Sequence, residues 1–526
     1  MFKDPKTIEA WFGTQREEPI EQVFTQIHAA LLQLHQRPLT PVQRITFLEA
    51  FRTALPAEIA RAAKAFYADR PLPLGQPERE MLGRIHAVLS SMEEQYWACG
   101  EAFAEQPDGD VQKLQVAGAL QRCVHAMVTR MIEDYRARQV IDPVLWELLH
   151  RTLDKAASAG AGTISVGDPL NPHGSSTINA TYGRAALLAA AQAGAMTPRV
   201  LDATLALTAL LEPFIDCSWQ PMGGATDASH EVTRTGRIRI IKAAGMTHFL
   251  NNTRLSGALN AFGQKVATGE PIASLDALPI SRSEVSGLLA RLNRVWCGSG
   301  EIRGTERERT RDHAEMASGV YAIYQLMTGK EFALPREFHV YVASGRPGDG
   351  TATVKDREAA TAGGDSGTWT VLDRSGEGLR AVRPIEGGRV GRGRLMGIRM
   401  NGDDTKPITS MAEVRWVQEV RGTSISSGVK MLPGRVVPVP ARVWGGKDGK
   451  QYQGVAPAFI LDHGNAPKLI VPTGWWFDER LVDIHFNGVF PKLKMGELVM
   501  RGVDFELGRF TFEGRPPQGM LANRYM

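Results

Sequence analysis

Through residues 1–158 the apolar positions recur every three or four residues, which is the spacing of one buried helix face. Val23, Phe24, Ile27, Leu31 and Leu34 form one stripe, and Met81, Ile85, Val88, Leu89, Met92 and Tyr96 a second. Leu120, Val124, Met127, Met131 and Tyr135 form a third. Thr40-Pro-Val-Gln43 has the form of a capping box with proline at the first helical position, and Asp142-Pro143 opens a helix in a similar way. Each stripe needs an apolar partner to cover it, so a helical bundle is expected. The composition shifts to Gly, Ser, Asn and Pro between Gly160 and Pro172, a connection to a second helical segment, 173–298. That segment contains Ala185–Met196, Val200–Leu211 and Ile238–Leu259. A further capping box, Ser281-Arg-Ser-Glu284, starts a helix carrying Val285, Leu288, Leu289, Leu292 and Trp296.

Beyond Cys297 the pattern changes to short β-prone runs separated by Gly, Asp, Asn and Ser: Ala314–Met327, Trp369–Asp373, Arg394–Met400, Ala412–Val420 and Gly428–Leu432. A small barrel is expected over 299–445. The stretch Ser344–Thr368 has almost no large apolar residue and reads as a flexible insertion in it. Further β-prone runs at Phe459–Leu461, Leu469–Val471, Leu481–Phe486 and Phe505–Phe512 make 446–526 a C-terminal β-rich domain. The expected fold class is multidomain α + β: an all-α N-terminal half, a small β-barrel and a C-terminal β-rich appendage.

Composition narrows the function classes. The 526 residues carry 43% hydrophobic and 22% charged residues, and 61 basic against 57 acidic side chains leave a net charge of only +4, which gives no reason to expect nucleic-acid binding. The longest apolar stretch is broken by Asp202, Thr204, Thr208, Glu212 and Pro213, so no membrane insertion is expected; a reducing, cytoplasmic location is the default expectation for a chain with so few and scattered cysteines. Cys99, Cys123, Cys217 and Cys297 are widely spaced without paired histidines, which supports neither a metal site nor a disulfide framework. No phosphate-loop lysine or nucleophile elbow is present, so the chain is read as a non-enzyme without a catalytic cofactor.

The candidate chemistry lies in two places. Asp373-Arg-Ser-Gly-Glu-Gly378 supplies a carboxylate, a hydroxyl and a glycine turn directly after a β-like run. Glu301-Ile-Arg-Gly-Thr-Glu-Arg-Glu-Arg-Thr-Arg311 supplies guanidinium groups four residues apart at Arg303, Arg307 and Arg311, with Arg309 the weakest candidate among its arginines. Guanidinium pairs with phosphate oxygens, forks onto guanine O6 and N7, and stacks on a purine face, so the combination suits a small dianion with guanine faces. Alone, the hexapeptide reads as an ordinary Asx-type turn, and the arginines as a solvated extension paired with Glu301, Glu306 and Glu308. Six arginines between Arg380 and Arg399 read as decoration of solvated strands.

Taken together, these residues resemble the PilZ-domain family of cyclic di-GMP receptors, whose motifs are Arg-x-x-x-Arg before the first barrel strand and Asp/Asn-x-Ser-x-x-Gly on a following strand. Asp373, Ser375 and Gly378 match the second motif, and Arg307 with Arg311 the first, with Arg303 and Arg307 as an overlapping alternative. Glu413-Val-Arg-Trp416 and Gly428-Val-Lys-Met-Leu432 are similar to the family's closing strands. The two motifs stand further apart than is usual in the family, and the Ser344–Thr368 insertion accounts for much of the excess. The resemblance implies cyclic di-GMP as a regulatory ligand held by Arg303, Arg307, Arg311, Asp373, Ser375 and Gly378, and a protein partner in surface-motility or envelope machinery. It implies an effector that turns ligand binding into domain reorientation. The competing reading is a degenerate PilZ scaffold acting through protein contacts without nucleotide.

Overall fold

The computed structural model describes residues 2–107, 109–218, 229–231, 242–243, 246–247, 249–251, 253–272, 280–297, 307–333, 335, 365–400, 407–445, 451–463 and 466–521. The chain divides into two compact units, one of residues 1–70 and 74–303, the other of 71–73 and 304–526.

The first unit is helical: α1 Pro5–Thr14, α2 Ile20–Gln36, α3 Pro41–Phe66, α4 Gln76–Ala104, α5 Asp110–Arg136, α6 Pro143–Ser158, α7 Ile178–Ala190, α8 Pro198–Leu210, α9 Thr253–Thr268 and α10 Arg282–Cys297. The expected caps close these helices. Thr40 and Gln43 exchange both capping-box hydrogen bonds, and Asp142 accepts from the Val144 amide at 3.0 Å. The three apolar stripes face inward, with Ile27, Leu31, Ile85, Val88, Leu120 and Met131 fully buried. Within this core Arg52 of α3 meets Asp168 at 2.9 Å, Arg122 meets Glu49 at 3.1 Å, and Gln121 bonds Thr181. These charges neutralise one another where unpaired charge would be costly.

Small strands complete this unit: β1 Val166–Gly167 with β2 Ser175–Ser176, β3 Asp216–Ser218 and β4 Ser229–Glu231 flanking β7 Phe249–Asn251, and β5 Lys242–Ala243 with β6 Met246–Thr247. The helix expected over Ile238–Leu259 therefore begins only at Thr253; ahead of it the described residues form strands.

The second unit contains two closed antiparallel barrels. The first is built from β9 His313–Ser318, β10 Asp365–Ser375, β11 Gly378–Pro384, β12 Leu395–Met400, β13 Ile408–Val420 and β14 Ser424–Leu432. Around it the order is β9-β10-β11-β14-β13-β12, with β12 returning to β9 and the two-residue β8, Glu308–Arg309, added to β10. The second barrel starts at Arg435 and contains β15 Arg435–Gly445, β16 Gln451–Asp462, β17 Lys468–Pro472, β18 Leu481–Ile484, β19 Lys492–Arg501 and β20 Phe505–Phe512. One apolar cluster, including Leu395, Leu432, Phe459, Ile470 and Phe505, joins the two barrels.

Three local expectations change here. The run Ala314–Met327 is a strand only to Ser318; Gly319, at φ 82°, turns it into helix α11, Val320–Thr328. Ile323 and Leu326, three residues apart, then lie in the shared core, and an apolar run of this length fits strand and helix equally. Of the expected insertion, 344–364 lie outside the described residues, whereas 365–368 open β10 and pair with β9. Finally, Arg383 is not solvated: it is buried beside Trp369, 5.2 Å from the ring centroid, with Asp365 at 3.2 Å.

Candidate functional site

The Asp373–Gly378 hexapeptide is the hairpin between β10 and β11. Ser375 pairs with Gly378 across a Gly376-Glu377 turn, and Ser375 Oγ donates to the Gly378 carbonyl at 3.3 Å. Gly378 is required by a close approach: a Cβ there would collide with the carbonyl oxygen of Val429 on β14.

A bulge sets the direction of Asp373. Val371 pairs with Ala381, both fully buried, but the next pair is Asp373 with Arg380, leaving Leu372 as the extra residue. The extra residue reverses the alternation, so Asp373 shares the outer face with Arg380. Its side chain is still only 10% exposed, with arginines beside both carboxylate oxygens.

The lead-in segment supplies one of them. Glu308 and Arg309 pair with Arg374 and Asp373, the Thr310 amide donates to the Leu372 carbonyl at 3.2 Å, and the Val371 amide to the Asp312 carbonyl at 2.8 Å. This zipper brings Arg307 Nη1 onto Asp373 Oδ1 in a charged hydrogen bond. Arg380 Nε approaches the other oxygen, Oδ2, at 2.7 Å, but its N–H is not aimed along a hydrogen bond, so that attraction is coulombic. Arg374, on the opposite face of β10, pairs instead with Glu308 at 3.2 Å.

Of the residues singled out in the sequence, Arg307, Asp373, Ser375 and Gly378 therefore converge. Arg311 follows within the same lead-in, exposed and without an ion pair among the described residues. Arg303 lies outside the described residues. Arg309, the weakest candidate in the sequence, stands directly opposite Asp373 in the ladder and is exposed.

Register extends the site beyond the motifs. From Asp373 the ladder continues through Arg380 to Gly428 on β14 and Trp416 on β13. The half-buried Trp416 lies over Gly428, whose missing side chain leaves room for the indole; a Cβ there would overlap the ring. One row thus presents Arg309, Asp373, Arg380 and an indole along the outer face. Arg380 and Trp416 were not among the expected site residues, although a two-residue hairpin turn places position 380 opposite 373.

The arrangement offers forked donors, one anchored carboxylate and an aromatic ring, a set suited to holding an anion with a purine face. Among the described residues no group of His, Cys, Asp and Glu is arranged to hold a metal ion, and no helix is long and apolar enough to cross a membrane. No curated protein matches the chain. Residues 6–221, in the helical unit, match the family model of the N-terminal domain of the cyclic-di-GMP receptor FimW.

Proposed function

We propose that the chain is a cyclic di-GMP-binding effector whose ligand site is the outer face of the first barrel, a PilZ-like barrel. The observation that carries this reading is the convergence of Arg307 and Asp373, two motif residues distant in sequence, on one face. The match of residues 6–221 to a cyclic-di-GMP receptor family supports it independently.

In this reading Asp373 accepts from the N–H groups of a guanine edge, and Ser375 adds a hydroxyl contact. Arg307 leaves Asp373 to engage phosphate or guanine, and Arg311, with Arg303 as an additional donor, closes over the ligand from the lead-in. Each bidentate contact of this kind is worth roughly 1–3 kcal/mol, so two or three suffice for micromolar affinity, near −8 kcal/mol, after ordering costs. Fixing the lead-in, which follows directly on the helical unit in sequence, converts occupancy into reorientation of that unit. Coupling of about 1–3 kcal/mol is typical of such switches. The output is regulation of a protein partner in pilus, motility or biofilm machinery.

A scaffold without nucleotide is the second reading, favoured by the fact that both oxygens of Asp373 already face arginines of the chain itself. Calorimetric titration of the full chain with cyclic di-GMP, alongside Arg307→Ala, Arg311→Ala and Asp373→Ala, separates the two. Micromolar binding by the wild type, weakened in the variants, is expected; no heat from the folded wild type would leave only the scaffold.

A further inference from the structure

We propose that Lys430, together with Arg380, holds a phosphate of the cyclic dinucleotide. The inference rests on the ligand reading above and adds a residue that neither motif contains.

Strand register brings the two cations together. Between β11 and β14, Arg380 stands opposite Gly428, and Gly378 stands opposite Lys430. These four positions share the outer face and form a square with the cations on one diagonal and the glycines on the other. Diagonal neighbours on paired strands lie about 7–8 Å apart at Cα, within reach of two long cationic side chains converging on one anion. The glycine corners raise no aliphatic wall between them; the Gly428 corner is roofed by the Trp416 indole. The seat is therefore shallow, flanked by two positive charges and bordered by an aromatic ring.

Lys430 is exposed, and its side chain has no ion pair or hydrogen bond among the described residues. Glu413, directly across from it on β13, is engaged by Arg415 at 2.9 Å. Among the described residues the face thus carries Arg307, Arg309, Arg380, Arg415 and Lys430 against Asp373 and Glu413, an excess of positive charge in which Lys430 has no ion-pair partner. An ammonium is a compact point charge that suits a phosphate oxygen, whereas the guanine edge is left to Asp373 and the arginines.

The test compares cyclic di-GMP binding by wild type, Lys430→Gln and Lys430→Arg at several salt concentrations, with thermal melts to verify folding. Lys430→Gln is expected to bind about ten- to a hundredfold more weakly at low salt, the size of one lost charged contact, with the deficit shrinking as salt screens it. Lys430→Arg is expected to recover most of the affinity. If wild type binds and Lys430→Gln binds equally well at every salt concentration, Lys430 is not in the site and only this inference falls. If Lys430→Arg is as weak as Lys430→Gln, charge is not what the position contributes, and the inference falls again. If the wild type itself does not bind, the ligand reading and this inference fall together.

Discussion

Arg307 donates to Asp373 from a lead-in segment that is itself hydrogen-bonded along β10, so the ion pair is set by backbone pairing and not by chance contact of two long side chains. Its stabilising contribution is small, since the Arg307 side chain is 31% exposed and such pairs are worth about 0–1 kcal/mol. Arg307→Ala is accordingly expected to leave the melting temperature nearly unchanged while weakening cyclic di-GMP binding about ten- to a hundredfold, the equivalent of one forked contact. Parallel melts and titrations check this; a large loss of stability with intact affinity would assign Arg307 to the fold alone.

Gly378 gives the opposite expectation. Its neighbour is backbone, the Val429 carbonyl, which has no rotamer to yield. Gly378→Ala is expected to part β11 from β14 and destabilise the barrel unit by on the order of 1–3 kcal/mol, as overpacking does. Denaturant unfolding monitored by circular dichroism measures the change, and a variant as stable as wild type would contradict the close approach.

Trp416 is placed to stack a base. Trp416→Ala is expected to weaken the ligand by roughly 1–3 kcal/mol, the range for one aromatic–base stack, with Trp416→Phe losing much less. The chain has ten tryptophans, so the optical readout is a difference: ligand quenching of wild type that disappears in Trp416→Phe. Equal quenching in both would remove Trp416 from the site.

Much of this was legible in the sequence because the relevant signals are local. Helical stripes such as Ile27–Leu31–Leu34 report their own burial, and the Thr40 and Asp142 caps declare their helix starts. The Asp373, Ser375 and Gly378 positions could be picked out as a turn for the same reason. Features set by register stayed hidden. The bulge at Leu372 turns Asp373 outward, and Trp416 and Lys430 join the face only because their hairpin, β13 with β14, pairs with β11 across a long interval of chain. Val320–Leu326 was ambiguous for a different reason: a short apolar run satisfies either period, and its helical state is decided by the core shared between the barrels.

The helical unit has a pH signature of its own. Burial pushes the Glu93 carboxyl up to about 7, against 4.5 ordinarily, despite the nearby Arg130 and Arg151. Because the value is raised in the folded state, the stabilising contribution is complete below pH 4.5 and is lost as pH rises toward 7, a change on the order of 2–3 kcal/mol. Glu93→Gln removes that titration. Its melting temperature is expected to gain on wild type as pH is raised from 5 to 8, and identical pH profiles for the two proteins would contradict the burial of a neutral carboxyl.

The receptor-family match falls on the helical unit, whereas the residues suited to the ligand lie on the barrel. The most direct test is therefore a crystal structure of the full chain with cyclic di-GMP. A guanine edge is expected within hydrogen-bond distance of Asp373, with Arg307 withdrawn from the carboxylate to the ligand. Cyclic di-GMP seated among residues 6–221, with the Arg307–Asp373 pair intact, would contradict the barrel site.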